Sequence, residues 1–308
     1  MPDFHLARDE SIDVRGPPSA FRADPQIKDD LLAALAETDP TPLTQRGVPQ
    51  PELVAWAEQM GLPPAFVLLA AHVCQRFNAA TPANLLARDL ICSVAPGAAL
   101  GAVPHLFAVW AWESAPEPLF GLMRSPDHRD AGAEMIALHR RVAAGEAVDR
   151  SVWRAARSRL NRLGEGDDDQ AAAATVLAAC AWDYDTTPGA ALDMFNAWEK
   201  LMTERILAKD GWGEAETIRL QQLIRDLKLV AQARIGPAPD DADAEAVAAH
   251  SSRVVAELVA LVNGSDDPLP NRKAALNATM GEACNALREQ GDAALLALVG
   301  AIAPAAPS

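Results

Sequence analysis

The chain is poor in the residues that build β-sheets. Segments rich in valine, isoleucine, threonine and tyrosine are nearly absent, and Tyr184 is the only tyrosine. Alanine, leucine, glutamate and arginine, which favour helix, fill most of the segments between turns. Aromatic residues make up only 5% of the chain, so we expect closely packed helices with small side chains between them. The sequence therefore predicts an all-α fold.

Proline and glycine divide the chain into helix-sized segments. Three hydroxyl-proline pairs are typical of helix starts, because the hydroxyl can cap free amides and proline presets φ in the first turn. These pairs are Thr81-Pro82, Ser125-Pro126 and Thr187-Pro188. Short links between successive segments predict an irregular multi-helix bundle or a stack of antiparallel helical hairpins.

Two long helices are predicted near the C-terminus. The second runs from about Asp243 to Val262 and ends at Asn263-Gly264, a typical left-handed stop. The connector at residues 236–240 is short, so the two helices are expected to form an antiparallel hairpin. The first helix follows Trp212 and carries apolar residues on one face: Ile218, Leu220, Leu223, Ile224, Leu227 and Val230.

The predicted domain organisation has three parts. Residues 1–24 mix charges, glycine and prolines without periodicity, which predicts a loosely ordered N-terminal arm. Residues 25–210 are predicted to form the main helical domain. Residues 211–308 are predicted to form helical hairpins packed on that domain, either separately or as one continuous unit with it.

The formal net charge is -15 at pH 7. Neutralising nucleic-acid phosphates needs clustered lysine and arginine, so a nucleic-acid partner is not expected. An acidic surface either keeps a protein soluble or attracts a basic partner protein, and the composition is compatible with both.

Cysteine usage and the N-terminal residues predict a cytoplasmic protein. The cysteines are widely spaced and form no C-x-x-C pair, so they are expected to be buried thiols in a reducing compartment. The first residues lack the basic start and apolar run of a signal peptide, and no apolar stretch is long enough to predict a membrane span. The four cysteines are Cys74, Cys92, Cys180 and Cys284.

The chain carries no recognisable catalytic motif. None of its six histidines follows a glutamate by three residues, and neither a P-loop nor a Gly-x-Ser-x-Gly elbow occurs. His72 and Cys74 face apart on a helix, so a nucleophile pair is not expected there. No catalytic residue, metal site or cofactor is therefore predicted, and an enzyme would have to assemble its site from distant positions.

Two acidic clusters are candidate partner contacts. Asp167, Asp168 and Asp169 form the first cluster, just before a helical run, and Asp240 and Asp241 form the second, before the next predicted hairpin helix. Carboxylates in such positions also cap helices and complement the helix dipole. Capping is the simpler interpretation, and contact with a basic partner is the functional one.

Arginines crowd into the middle of this acidic chain. Arg150, Arg154 and Arg157 share one helical face and are candidate partner-binding residues. They either pair with acids of the same chain or bind an acidic segment of a partner. The opposite face is predicted to be buried and carries Trp153, Ala156, Leu160 and Leu163. The other cationic positions of this region are His139, Arg140, Arg141, Arg159 and Arg162.

The segment from Leu119 to Leu163 resembles helical immunity proteins of bacterial polymorphic toxin systems. The matching features are a helix start, a helix, a turn and a second helix rich in alanine and arginine. They correspond to Pro126-Asp127-His128-Arg129, the helix through Met135 and Val142, Ala143-Ala144-Gly145-Glu146, and residues 152–163.

This resemblance implies a cytoplasmic, non-enzymatic protein that neutralises a cognate toxin domain by stoichiometric binding. An acidic body would suit a basic toxin. Two alternatives remain open at this stage: a helical-repeat scaffold or regulatory adaptor that uses the arginine face, and a helical enzyme with a site of scattered residues.

Overall fold

A computed structural model describes residues 19–36, 41–75, 82–115, 119–239 and 244–302. Within these ranges the chain is all-α, with no β-strand, so the predicted fold class is confirmed. The helices are α1 Pro25–Ala36, α2 Gln50–Met60, α3 Pro64–Cys74, α4 Ala83–Ser93, α5 Ala102–Glu113, α6 Pro126–Ala143, α7 Arg150–Leu163, α8 Asp169–Ala179, α9 Ala190–Lys209, α10 Glu214–Ile235, α11 Ala244–Asn263 and α12 Leu269–Ala301.

The predicted helix starts differ in how closely the structure follows them. At α6 the prediction is confirmed, because Ser125 caps the helix by accepting a hydrogen bond from the His128 amide and Pro126 opens the first turn. At α4 Pro82 is the residue before the helix, and Thr81 lies outside the described residues. The helix predicted to start at Thr187-Pro188 starts at Ala190 instead. The Ala190 amide donates to the backbone carbonyl of Thr187, not to its side chain.

The chain forms two compact units. The first contains Met1–Ala197 together with Arg288–Ser308, and the second contains Trp198–Leu287, so the division falls within α9 and within α12. The limits of these two units differ from the domain limits at residues 24 and 210 that the sequence predicts. The sequence-based domain limits stay a prediction, and most of the predicted arm, residues 1–18, lies outside the described residues.

The first unit contains most of the large buried side chains and the candidate site. Helix α5 packs on α6, α6 on α7, and α7 on α8, which makes a run of neighbouring helices. Alanines of α8 such as Ala173 and Ala174 are fully buried and allow close approach of the backbones, while Trp112 fills the larger spaces. The resulting core positions the loop that follows α8, at residues 180–189.

The second unit contains the α10 and α11 hairpin, and the predicted pairing of these helices is confirmed. The predicted apolar stripe of α10 is only half covered, however. Leu220, Leu223 and Leu227 are half-buried, whereas Ile218, Ile224 and Val230 are exposed. Helix α11 and the buried cluster that Leu220 contacts cover only part of this face.

Two sequence expectations concern burial and membranes. Cys74 and Cys180 are buried as predicted, but Cys92 is exposed and Cys284 is half-buried, since both lie on helix faces turned from the core. No individual helix in the described ranges has the length and apolar character of a membrane span. Helices α2 and α3 reach that threshold only as a pair, across a bend of 119°.

Candidate functional site

Helix α7 has one buried face and one cationic face. Asp149 caps its start by accepting the Ser151 amide, and the buried face contains Trp153, Ala156 and Leu160, each at most 3% exposed. The predicted amphipathic character of this helix is therefore confirmed. Since the side chains three and four residues apart project together, the arginines of the other face meet along one wall of a groove.

The groove lies between α7 and the loop that follows α8. Its volume is about 310 Å³, within the range of small-ligand pockets. The α7 wall is cationic and the loop wall contributes an aromatic ring, a carboxylate and a hydroxyl. The lining residues are Arg150, Trp153, Arg154, Arg157, Trp182, Asp183 and Thr186.

The groove arginines form no ion pair with a carboxylate of the described residues. Among the described residues, no ion pair joins Arg150, Arg154 or Arg157 to an acid. Asp149, the nearest acid in sequence, caps the helix; its hydrogen bonds to Ser151, and then the charge of Arg154, lower the pKa of its carboxyl. The interpretation that arginines of this region pair within the chain therefore has no ion pair to support it for these three. It is correct for other arginines of this region, which form ion pairs at 2.5 to 3.0 Å: Arg140 with Glu113, Arg141 with Glu146, and Arg159 with Glu134.

Arg157 is held in place by a tryptophan. Its guanidinium carbon lies 3.5 Å from the centre of the Trp182 ring, a close cation-π contact. Burial, and then the positive charges of Arg154 and Arg150, lower the pKa of Arg157 from its ordinary value. An arginine stays protonated at neutral pH even so, and the three charges repel one another until an anion neutralises them.

The loop wall presents hydrogen-bond acceptors. The Thr186 hydroxyl donates to the Asp183 carbonyl, which leaves its oxygen lone pairs as acceptors, and the Asp183 carboxylate accepts the Asp185 amide. Burial and the nearby charge of Asp183 raise the pKa of Asp185. The groove thus has donors on one wall and acceptors on the other.

A buried histidine pair lies behind the groove. His105 of α5 and His139 of α6 are both fully buried, and their Nδ1 atoms are 2.9 Å apart. His139 Nε2 lies 3.1 Å from the carbonyl oxygen of Cys180. The expectation that His139 belongs to a cationic surface is wrong, because its ring is in the core, where a charge would be costly.

Hydrogen bonding assigns the neutral forms of this pair. A carbonyl can only accept, so His139 carries its proton on Nε2 and its Nδ1 is an acceptor. His105 must then donate from Nδ1, which leaves its Nε2 unprotonated. That Nε2 atom is buried without a protein partner, in keeping with an atom that carries no proton to donate.

The surroundings of His105 and His139 favour the neutral form of both rings. Burial lowers the pKa of His105 to about 4. Burial first, and then repulsion from His105, holds the pKa of His139 well below its ordinary value, although the Cys180 carbonyl opposes this shift. Both histidines are therefore uncharged at neutral pH.

The histidine pair connects to both walls of the groove. His139 packs edge-on against Trp153, with ring centres 5.0 Å apart, and Trp153 also lines the groove. The Cys180 carbonyl accepts from His139 and from the Trp182 amide, at 3.1 and 2.7 Å. His105 also stacks on Tyr184 at 4.5 Å, which anchors the loop after Trp182.

The acidic candidates do not join this site. Asp168 caps α8 by accepting the Ala171 amide, which lowers the pKa of its carboxyl, so the capping interpretation is confirmed for this residue. Asp167 and Asp169 are exposed beside it. Asp240 and Asp241 lie outside the described residues.

Sequence reasoning identified the arginines but missed the loop wall and the histidines. Trp182, Asp183 and Thr186 follow a helix end at Cys180, where an aromatic and polar run interrupts an alanine-rich segment. His105 was a second available signal, because it is the one titratable side chain within the apolar run from Val103 to Trp112. Its partner, 34 residues away, could not be found from spacing.

In the described part of the chain, no group of three or more histidine, cysteine or acidic side chains is arranged to hold a metal ion. Comparisons with protein-family models, with curated proteins and with solved structures find no match to this chain.

The neutral histidine pair predicts that stability falls in mild acid. The unfolded chain binds protons on these histidines as the pH drops through about 6.5, whereas in the folded chain His105 does not bind a proton until the pH nears 4 and the pKa of His139 is also held well below its ordinary value. Stability is therefore complete above pH 6.5 and declines below it. Between pH 7 and pH 5, urea unfolding should show a loss of about 2 kcal/mol from His105 and a further loss from His139.

Ring nitrogen NMR of the wild-type protein is the companion measurement. At pH 6 it should show one histidine protonated on Nδ1 and one on Nε2, with neither titrating above pH 5. A double substitution, His105→Gln with His139→Gln, should reduce the pH dependence of unfolding. Two buried rings that titrate near pH 6.5 would contradict the assignment even if the double variant failed to fold.

Proposed function

We propose that this protein is a non-catalytic binding protein whose groove takes an anionic segment of a partner protein. The observation that carries the proposal is the convergence of Arg150, Arg154 and Arg157 on one groove without a carboxylate partner. Their three positive charges contrast with the net charge of -15 of the whole chain. The cytoplasm is the proposed location.

The groove is suited to a short segment. Its volume of about 310 Å³ accommodates a few side chains, and the half-buried ring of Trp182 offers apolar surface beside the charges. Arginine and tryptophan are the side chains most often found at binding hot spots, where partly desolvated contacts contribute most of the affinity. Because Arg157 is already stacked on Trp182, it loses little conformational freedom on binding.

Binding of a fluorescein-labelled peptide of six glutamates tests this proposal. The overall charge of the protein repels such a peptide, so binding requires a local cationic site. Arg154→Gln and Arg157→Gln should each weaken the affinity about tenfold, since a charge-assisted hydrogen bond contributes roughly 1.5 to 3 kcal/mol. Fluorescence anisotropy measures the effect.

The matched control is Arg162→Gln. Arg162 lies exposed on the same helix outside the groove lining, so its replacement changes the net charge equally and should leave the affinity within about twofold. Equal weakening by all three substitutions would attribute binding to general charge. If neither this peptide nor any of the less charged anionic peptides described below binds, the proposal is refuted.

A second candidate function is neutralisation of a basic toxin by stoichiometric binding. The net charge of -15 favours it, together with the exposed acids Asp167 and Asp169 beside the α8 cap. Complementary charge accelerates association, so such a complex would form more slowly as salt screens the charges.

Affinity capture separates the two candidates. The immobilised protein is exposed to cytoplasmic extract of its native source at low and high salt, and retained proteins are identified by mass spectrometry. We expect one stoichiometric basic protein, released by salt, if the toxin proposal holds. A partner retained by wild-type protein and lost with Arg157→Gln would instead assign binding to the groove, and the toxin proposal would then fail.

A further inference from the structure

We infer that the groove is specific for a phosphorylated side chain, so that the protein binds its partner segment when that segment carries a phosphomonoester. This inference rests on the proposed function and narrows its ligand class. It follows from the charge of the groove, the geometry of its donors and the placement of its acceptors.

The net charge of the groove lining matches that of a phosphomonoester. The lining carries the three positive charges of Arg150, Arg154 and Arg157 and the single negative charge of Asp183, a net of two positive charges. A phosphomonoester carries a charge of about -1.5 to -2 at pH 7, which nearly neutralises this set at one point. A single carboxylate would leave one positive charge without a partner.

The arrangement of the guanidinium groups suits the oxygens of a phosphate. The three arginines stand at spacings of four and three residues on one helix, so their guanidinium groups converge from one side. Phosphate offers three acceptor oxygens, and guanidinium groups bind such oxygens in bidentate pairs. The Trp182 ring covers one face of Arg157, which leaves the edge of the guanidinium, where its N–H groups lie, for the ligand.

The acceptors on the loop wall favour a phosphorylated peptide over inorganic phosphate. The opposite wall presents the Asp183 carboxylate and the Thr186 oxygen, both of which accept hydrogen bonds and would repel a bare anion. A peptide that carries phosphate also carries backbone N–H donors. Donors on α7 therefore match the phosphate, and acceptors on the loop match the peptide backbone beside it.

The acidic character of the chain contributes to this selectivity. With a net charge of -15, the protein disfavours long acidic segments, which would extend beyond the groove onto a surface of the same sign. One phosphorylated residue concentrates its charge within the groove and avoids that repulsion. The structure therefore favours a single modified residue over a polyacidic stretch.

The test compares labelled seven-residue peptides that differ only at the centre: one phosphoserine, an unmodified serine, or two adjacent glutamates that match the charge. We expect the phosphoserine peptide to bind at least tenfold more tightly than the two-glutamate peptide, and the serine peptide not to bind. The variant Arg157→Lys should lower the phosphoserine affinity at least fivefold, because lysine keeps the charge but loses the planar fork, while Arg162→Lys should not change it.

A pH series provides a second readout. The second pKa of a phosphomonoester is about 6, so the phosphoserine affinity should fall several-fold between pH 7.5 and pH 5.5, whereas the two-glutamate affinity should stay constant. Constant affinity for both peptides would argue against recognition of the dianion. The two-glutamate peptide also reports any loss of folded protein over this range.

The outcomes separate the inference from the proposed function. If the two-glutamate peptide binds as tightly as the phosphoserine peptide, or only the six-glutamate peptide binds, phosphate specificity is overturned and the anion-binding groove stands. If none of the anionic peptides binds, both fail. Tighter binding of a single-stranded oligothymidylate than of the phosphoserine peptide would overturn the inference in favour of a nucleic-acid ligand.

Discussion

The hydrogen bond between His105 and His139 is the constraint on which the candidate site depends. It joins α5 to α6 in the core and fixes the proton positions of both rings. The bond needs one donor and one acceptor, and the Cys180 carbonyl determines which histidine takes which role. A buried hydrogen bond of this kind favours one arrangement of the surrounding helices, because another arrangement would leave both Nδ1 atoms without partners.

The histidine pair positions both walls of the groove. Trp153 contacts His139 on its inner side and lines the groove on its outer side, and the Cys180 carbonyl holds the backbone of Trp182. Trp182 in turn orients Arg157. The cationic wall would exist on any amphipathic α7, whereas the wall facing it exists only because the loop after α8 is anchored to the core. Binding geometry and core packing are thus parts of the same network.

The sequence predicted the features that depend on neighbouring residues. Helix identity follows from composition, the α6 cap from Ser125 and Pro126, and the face of Arg150, Arg154 and Arg157 from helical spacing. It did not predict which arginines find acids, because Glu134 and Glu113 reach Arg159 and Arg140 across helix packing. The histidine pair and the loop wall depend on contacts 34 to 41 residues apart, and the exposed half of the α10 stripe depends on how many helices cover it. A sequence pattern gives the periodicity of a helix face, but it does not show which residues of other helices contact that face.

The central claim is that the unpaired arginines form the ligand-binding surface. NMR of the arginine Nε–H groups, recorded while the phosphoserine peptide is added, tests it most directly because each side chain reports separately. The account predicts that the signals of Arg150, Arg154 and Arg157 shift together and saturate with the binding curve. The signals of the ion-paired Arg140, Arg141 and Arg159 should remain unchanged. Saturable binding with shifts in the paired set, and none in the groove set, would contradict it.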